Sequence, residues 1–302
     1  MIKLKSLWMG VCMVVLLLSC RTEKEVYLST SFHEPATEGL RFIYSEDGIH
    51  WDSIAGVWLK PEVGKQKIMR DPSIVRSGDG TFHLVWTSSW KGDLGFGYAH
   101  SKDLIHWSEE KFIPVMAHDS TTVNVWAPEL FYDDEKGIED EFNNHRLYYI
   151  TTKDFDRISD TRLYYDPGYS AIDATLVKRT SKDYVLVVKD NTRNNRNIKV
   201  AFGPSPTGPF GATSAPITPG FCEGPTVVRL GDWYYIYFDD YNRKIFGAVK
   251  TKDFIHFTDE TANVSMPEGH KHGTIFRAPA SVVRGLFSGS SPKGGKRERL
   301  AN

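Results

Sequence analysis

An all-β architecture is what this sequence predicts, on three observations: a strand pattern that recurs five times, a turn element between its copies, and almost no helical periodicity. The strand pattern is short and apolar, with a small residue or proline near its start. Its members are Asp71-Pro72-Ser73-Ile74-Val75, Ala127-Pro128-Glu129-Leu130-Phe131, Asp173-Ala174-Thr175-Leu176-Val177, Gly224-Pro225-Thr226-Val227-Val228 and His272-Gly273-Thr274-Ile275-Phe276. The starting positions 71, 127, 173, 224 and 272 are separated by 56, 46, 51 and 48 residues.

The turn element is Ser45-Glu46-Asp47-Gly48-Ile49-His50-Trp51, repeated as Ser101-Lys102-Asp103-Leu104-Ile105-His106-Trp107 and as Thr251-Lys252-Asp253-Phe254-Ile255-His256-Phe257. Gly78-Asp79-Gly80 and Gly231-Asp232 each precede an aromatic-rich strand, which is a hairpin signal. Five meander units of about 50 residues around a common axis predict a five-bladed β-propeller. The last unit, from His272 to about Phe287, is too short for four strands, while Leu40-Arg41-Phe42-Ile43-Tyr44 is a strand in excess at the front. N-terminal strands are therefore expected to complete the last blade and close the ring, removing exposed sheet edges.

Flanking segments divide the rest. Lys3 and Lys5 precede an apolar run from Leu7 to Leu18, shorter than the roughly 20 residues of a membrane span, so residues 1–19 read as a signal peptide. Leu17-Leu18-Ser19-Cys20 resembles a bacterial lipobox, which would make Cys20 the acylated first residue of the mature chain. Residues 20–30 read as a tether, 31–287 as the propeller domain and 288–302 as a Gly/Ser/Lys-rich flexible tail. A lipid-anchored protein of the bacterial cell envelope is expected, touching the membrane only through its lipid.

Lysine and arginine number 37 against 38 acidic residues, so there is no positive field to gather nucleic acid. Of three cysteines, only Cys222 lies in the mature chain outside the anchor, and it is read as core packing, with no disulfide framework.

The inner strands of a propeller bring equivalent positions to one channel mouth, here Asp71, the Trp126/Glu129 segment, Asp173, Glu223 and His272. Arg70-Asp71-Pro72-Ser73, Trp126-Ala127-Pro128, Ala171-Ile172-Asp173, Glu223-Gly224-Pro225 and His272-Gly273, in this order, resemble glycoside hydrolase family 43 over about residues 40–287. Its members are five-bladed propellers acting mainly on arabinose- and xylose-containing polysaccharides. The resemblance implies Asp71 as general base, Glu223 as general acid, and Asp173 as the second carboxyl that modulates and orients the acid. Inverting hydrolysis needs base and acid roughly 6.5–9.5 Å apart, which residues on opposite blades can meet.

On the substrate side, Trp126 is expected to stack on a sugar and Arg277 to bond a ring hydroxyl, with Trp90 and Phe221 near by; Trp86 is expected in the core. In the family, the histidine matching His272 can help bind a calcium ion or water cluster, so a structural Ca2+ is attached to the resemblance, though hard cations prefer oxygen and the chemistry requires no cofactor. Glu129 stands where many relatives have Asp. The acidic segment from Asp133 to His145 reads as a long exposed hairpin loop.

The implied activity is exo-acting release of α-L-arabinofuranose or β-D-xylose from plant polysaccharides. Two alternatives stay open: an exo-galactosidase of the same family acting on arabinogalactan, and a non-catalytic glycan-binding propeller lipoprotein. A sialidase-like reading of the Ser-x-Asp repeats lacks the arginine cluster it would need.

Overall fold

A computed structural model describes residues 24–133, 137–143 and 146–289. The signal peptide, Cys20 and most of the expected tail lie outside the described residues. Five antiparallel sheets form among those described. β1 (Glu25–Ser31), β2 (Leu40–Ser45) and β3 (Asp52–Leu59) belong to the first, and β4 (Arg70–Arg76), β5 (Phe82–Thr87), β6 (Gly95–Ser101) and β7 (Lys111–Pro114) form the second. The third contains β8 (Glu129–Asp133), β9 (Gly137–Asn143), β10 (Leu147–Thr152) and β11 (Arg162–Tyr165). The fourth has three strands, β12 (Ala171–Thr180), β13 (Asp183–Asp190) and β14 (Asn197–Gly203). The fifth has β15 (Cys222–Leu230), β16 (Trp233–Asp240), β17 (Ile245–Thr251) and β18 (Thr258–Asp259). β19 (Ile275–Pro279) then pairs with β1, giving the first sheet the order β19-β1-β2-β3, and α1 (Ala280–Ser288) follows.

The expected all-β, propeller-like fold is present. Contacts run from β4 to β8, β8 to β12, β12 to β15, β15 to β19, and β1 back to β4. Between the sheets lie the largest buried side chains, among them Trp58, Trp86, Phe82, Phe96 and Phe238. Each contributes about 1.5–3 kcal/mol on leaving water. Trp86 and Cys222 are fully buried, as their reading as core required.

Three readings are corrected. The tether expected over 20–30 gives way from Glu25 to strand β1, whose alternate residues Val26 and Leu28 are buried apolar side chains. The expected hairpin loop over 133–145 holds strand β9, which pairs with both β8 and β10. The end of the propeller segment is a helix: α1 turns Val283 and Leu286 into the core shared with Trp58 and Ala278.

The turn repeat follows the third strand of four sheets. In the first copy, Asp47 Oδ1 accepts from the amides of Ile49 (2.7 Å) and His50 (2.8 Å), Ser45 Oγ accepts from Gly48, and Asp47 Oδ2 meets His50 Nδ1 at 2.7 Å. Ser101/Asp103/His106 and Thr251/Asp253/His256 repeat the pattern. A fourth copy, Thr152/Asp154 with Arg157 in the histidine's place, joins β10 to β11. Small polar side chains that bond backbone amides two and three residues on stabilise such turns.

Candidate active site

The residues that open the inner strands adopt an unusual backbone. Asp71, Ala127, Asp173 and Gly224 have φ of 49°, 47°, 50° and 57°, in the left-handed region. At three of them the strand register slips: between Arg70 and Ser73, Ile172 and Ala174, and Glu223 and Thr226. Each non-glycine residue held there costs on the order of 1–3 kcal/mol, and such strain gathers at functional sites. At Gly224 a glycine is required twice over, because a Cβ would lie 2.1 Å from Cγ of His272.

These kinks bring the starts of the inner strands of five sheets to one end of a central channel lined by Asp71, Glu129, Asp173, Gly224 and His272. His272 Nε2 lies 3.0 Å from Asp71 Oδ1, and Thr87 Oγ1 donates to Asp71 Oδ2 at 2.8 Å. Burial works to raise the Asp71 pKa, but the hydrogen bond and charge of His272, with Arg70 and Thr87, outweigh it and hold the carboxyl below the usual range. Burial likewise opposes a charged His272, yet the carboxylates of Asp239 and Asp71 prevail and lift its pKa well above the ordinary value. His272 is thus an imidazolium between two carboxylates, with Asp239 Oδ2 at 3.7 Å from Nδ1. Lys271 Nζ completes the chain at 2.9 Å from the same oxygen.

Asp173 accepts from the Gly224 amide at 3.1 Å, fixing the segment that carries Glu223. Burial raises the Asp173 pKa, and the charges of Glu223 and Asp71 add to this against Lys189 and His272. The carboxyl that these surroundings push upward is therefore Asp173's own. Glu223 sits 2.9 Å from the buried ammonium of Lys189, at the inner end of β13. Its carboxylate also lies within 4.8 Å of ligand atoms of Asp239 and His272.

Asp239, Lys271 and Lys189 were not legible as site residues. Asp239 is the register partner of Glu223 on β16, and Lys189 lies one residue before the end of β13, so both come from second strands that the repeat of inner strands does not mark.

Glu129, deeper in the channel, accepts from Thr175 Oγ1 at 3.0 Å and Thr274 Oγ1 at 3.4 Å. Burial pushes its carboxyl up to about 7 against the opposing hydrogen bonds of Ser73, Thr175 and Thr274.

Two aromatic pairs flank the mouth. Trp90, 43% exposed, meets Trp126 edge-on at 5.5 Å, and the Arg70 guanidinium lies 4.0 Å over its ring. Phe221, 45% exposed, meets Tyr241 edge-on at 6.0 Å, with Lys189 Nζ 5.5 Å from the Tyr241 ring. Trp90 and Trp126 are thus linked to the Asp71 segment through Arg70, and Phe221 to Glu223 through Tyr241 and Lys189.

Arg277 is not, and that expectation is corrected. It lies against Tyr27 and Glu25 and donates to the Arg229 carbonyl at 3.0 Å. Five residues along a strand carry it about 16 Å from His272, toward the other end of the channel. The cation expected at His272 would have Glu223, Asp239 and His272 to hold it, since one ligand atom of each lies within 4.8 Å of the others and His272 Nδ1 is buried without a hydrogen-bond partner.

The family model Glyco_hydro_43_rel, described as "Probable glycosyl hydrolase domain", matches residues 23–280. The chain belongs to this family of 43-related glycosyl hydrolases. Over 215 residues this family member is 29% identical to the non-reducing end α-L-arabinofuranosidase BoGH43B of Bacteroides ovatus. That match covers 61% of the chain and 38% of the relative, so the chain spans well under half of the relative's length.

Among solved structures, the glycosyl hydrolase 43-related chain is similar to an endo-1,4-β-xylanase from Bacteroides thetaiotaomicron, with a TM-score of 0.58, 15% identity and coverage of 82% of this chain and 93% of that one. It is also similar to an exo-β-1,3-galactanase from Phanerochaete chrysosporium, with a TM-score of 0.52, 15% identity and coverage of 63% and 49%. At these identities the likeness is one of fold.

Proposed function

We propose that the protein is a glycoside hydrolase that cleaves O-glycosyl bonds with inversion, releasing a terminal α-L-arabinofuranose or β-D-xylose from plant cell-wall polysaccharide. The observation that carries this reading is that Asp71 and Asp173 line one channel, with Glu223, from a third sheet, within 4.8 Å of the His272 that contacts Asp71. Asp71, ionised beside His272, takes a proton from the attacking water while keeping free lone pairs on both oxygens. Glu223, paired with Lys189 in the resting site, must first take up a proton from solvent, and then gives it to the departing glycosidic oxygen as the bond to the anomeric carbon breaks. Proton exchange with solvent then resets both groups. Asp173 steadies the Glu223 segment through the Gly224 amide. Arabinose is favoured because the relative at 29% identity is a non-reducing end arabinofuranosidase; galactosides are the second choice.

We also read the five sheets as five blades in a ring that the β1–β19 pairing closes. The export signal and the acylation of Cys20 belong to the proposal too, resting on Lys3, Lys5 and the Leu17–Cys20 pattern.

The test is hydrolysis by the form beginning after Cys20 of aryl arabinofuranosides, xylosides and galactosides, and of arabinan, arabinoxylan and arabinogalactan. Asp71→Asn and Glu223→Gln should each lose about 10²–10⁴-fold in kcat. The Glu223→Gln loss should shrink on a dinitrophenyl glycoside, whose leaving group needs no acid. Glycan binding without turnover on any of these substrates would leave a binding protein instead.

A further inference from the structure

Beside the catalytic mouth opens a second cavity of about 890 Å³, between the β15–β18 sheet and the loops that surround β1. Asp239 and Lys271 form its inner end, and Tyr241, Ile245, Met266 and His270 are among its walls. The channel under Asp71 and His272 has only about 30 Å³, room for water and not for a sugar. A cleft near 890 Å³ falls within the roughly 300–1,000 Å³ of ligand sites. Of the two cavities beside these residues, this one has the room for a glycan longer than the terminal sugar.

The position of the cleft relates it to one half of the substrate. Asp239, at its inner end, is the register partner of Glu223, and their carboxylates belong to one cluster within 4.8 Å. The cleft thus begins beside Glu223, the group proposed to serve the departing oxygen, while its Glu34 wall reaches Arg70 next to Asp71. Its chemistry suits an uncharged chain. Ile245, 41% exposed, and Met266 offer apolar surface for sugar faces, beside a polar rim at Ser265. The charges nearly cancel, with Glu34, Asp239 and Glu268 against Lys244 and Lys271, and Asp239 is already paired with Lys271. Glu34 is likewise paired, with Arg70, so the cleft presents no net field to draw in a charged polymer.

We propose that this cleft binds the leaving side of the substrate, an uncharged oligosaccharide of several linked sugars, a step that rests on the hydrolytic reading above. Ser265 is exposed, and its backbone is held by bonds to Ile49 and Trp51, so Ser265→Trp fills the cleft from a secure position.

The measurement is kcat/KM for the cleaved aryl glycoside and for di-, tri- and tetrasaccharides of the same sugar. In the unaltered protein, kcat/KM should rise at least tenfold from di- to tetrasaccharide. Ser265→Trp and Ile245→Ser should each flatten that rise at least fivefold, and Lys182→Trp, at an exposed turn of the fourth sheet, should preserve it. A rise that survives both cleft variants overturns the inference while hydrolysis stands. Absence of any turnover overturns hydrolysis; calorimetric binding of the tetrasaccharide, lost in Ser265→Trp, would then still support the cleft, and no binding would overturn it.

Discussion

His272 and Asp71, 201 positions apart in sequence, are joined by a 3.0 Å contact between Nε2 and Oδ1. The carboxyl proposed as base is thereby held ionised by a cation from a distant part of the chain. His272→Asn keeps a donor near by but removes the charge, so the Asp71 pKa should rise. The acid limb of kcat/KM should move to higher pH, with activity at neutral pH down about tenfold or more. A pH profile of the two proteins checks this; an unmoved acid limb would detach Asp71 from the role of base.

Lys189 and Glu223 form a largely buried pair, with side chains 4% and 23% exposed. Breaking a buried pair costs about 3–5 kcal/mol, and less here because Glu223 keeps some water. Lys189→Met should lower Tm by about 5–10 °C, whereas Lys182→Met, exposed, should change it little. Differential scanning calorimetry reads both.

Glu129 gives stability a pH dependence of predictable sign. Its carboxyl is raised from 4.5 to about 7 on folding, so the folded state holds a proton that the unfolded chain releases. The stabilisation of the protonated form is complete below about pH 4.5 and is lost as pH rises through about 7, on the order of 3 kcal/mol in all. Glu129→Gln should flatten that decline and raise Tm at pH 8. Thermal melts from pH 4.5 to 8 decide it, and an unchanged slope would mean that Glu129 titrates alike in both states.

Gly224→Ala places a methyl group 2.1 Å from the His272 ring in a backbone region alanine resists. Activity should fall at least a hundredfold, with a Tm loss of several degrees. Near-normal kcat would show that His272 can move without harm to the base.

Much of the site was legible because the inner strands repeat. Asp71, Asp173 and His272 announce themselves by recurring at strand starts, and Glu223 stands one place earlier on the same pattern. Lys189 and Asp239 face the site from second strands, where their own position holds a different residue in each sheet, so only cross-strand register reveals them. Arg277 failed as a ligand because closeness to His272 in sequence becomes distance along an extended strand. The fourth turn at Thr152 was hidden because Arg157 replaces the expected histidine, although its backbone bonds are the same. Strand β9 was masked by acidic composition, and α1 by the brevity of its apolar stripe, two buried residues over nine.

The pairing of β1 with β19 also fixes how the molecule can be held. Glu25 lies opposite Pro279 and Ser29 opposite Ile275, so the chain enters the sheet at the end farther from His272 and runs toward it. Anything attached ahead of Lys24 grips the molecule by its back. A lipid there would turn the mouth bearing Asp71 and Glu223 outward, facing polymer that arrives from the medium.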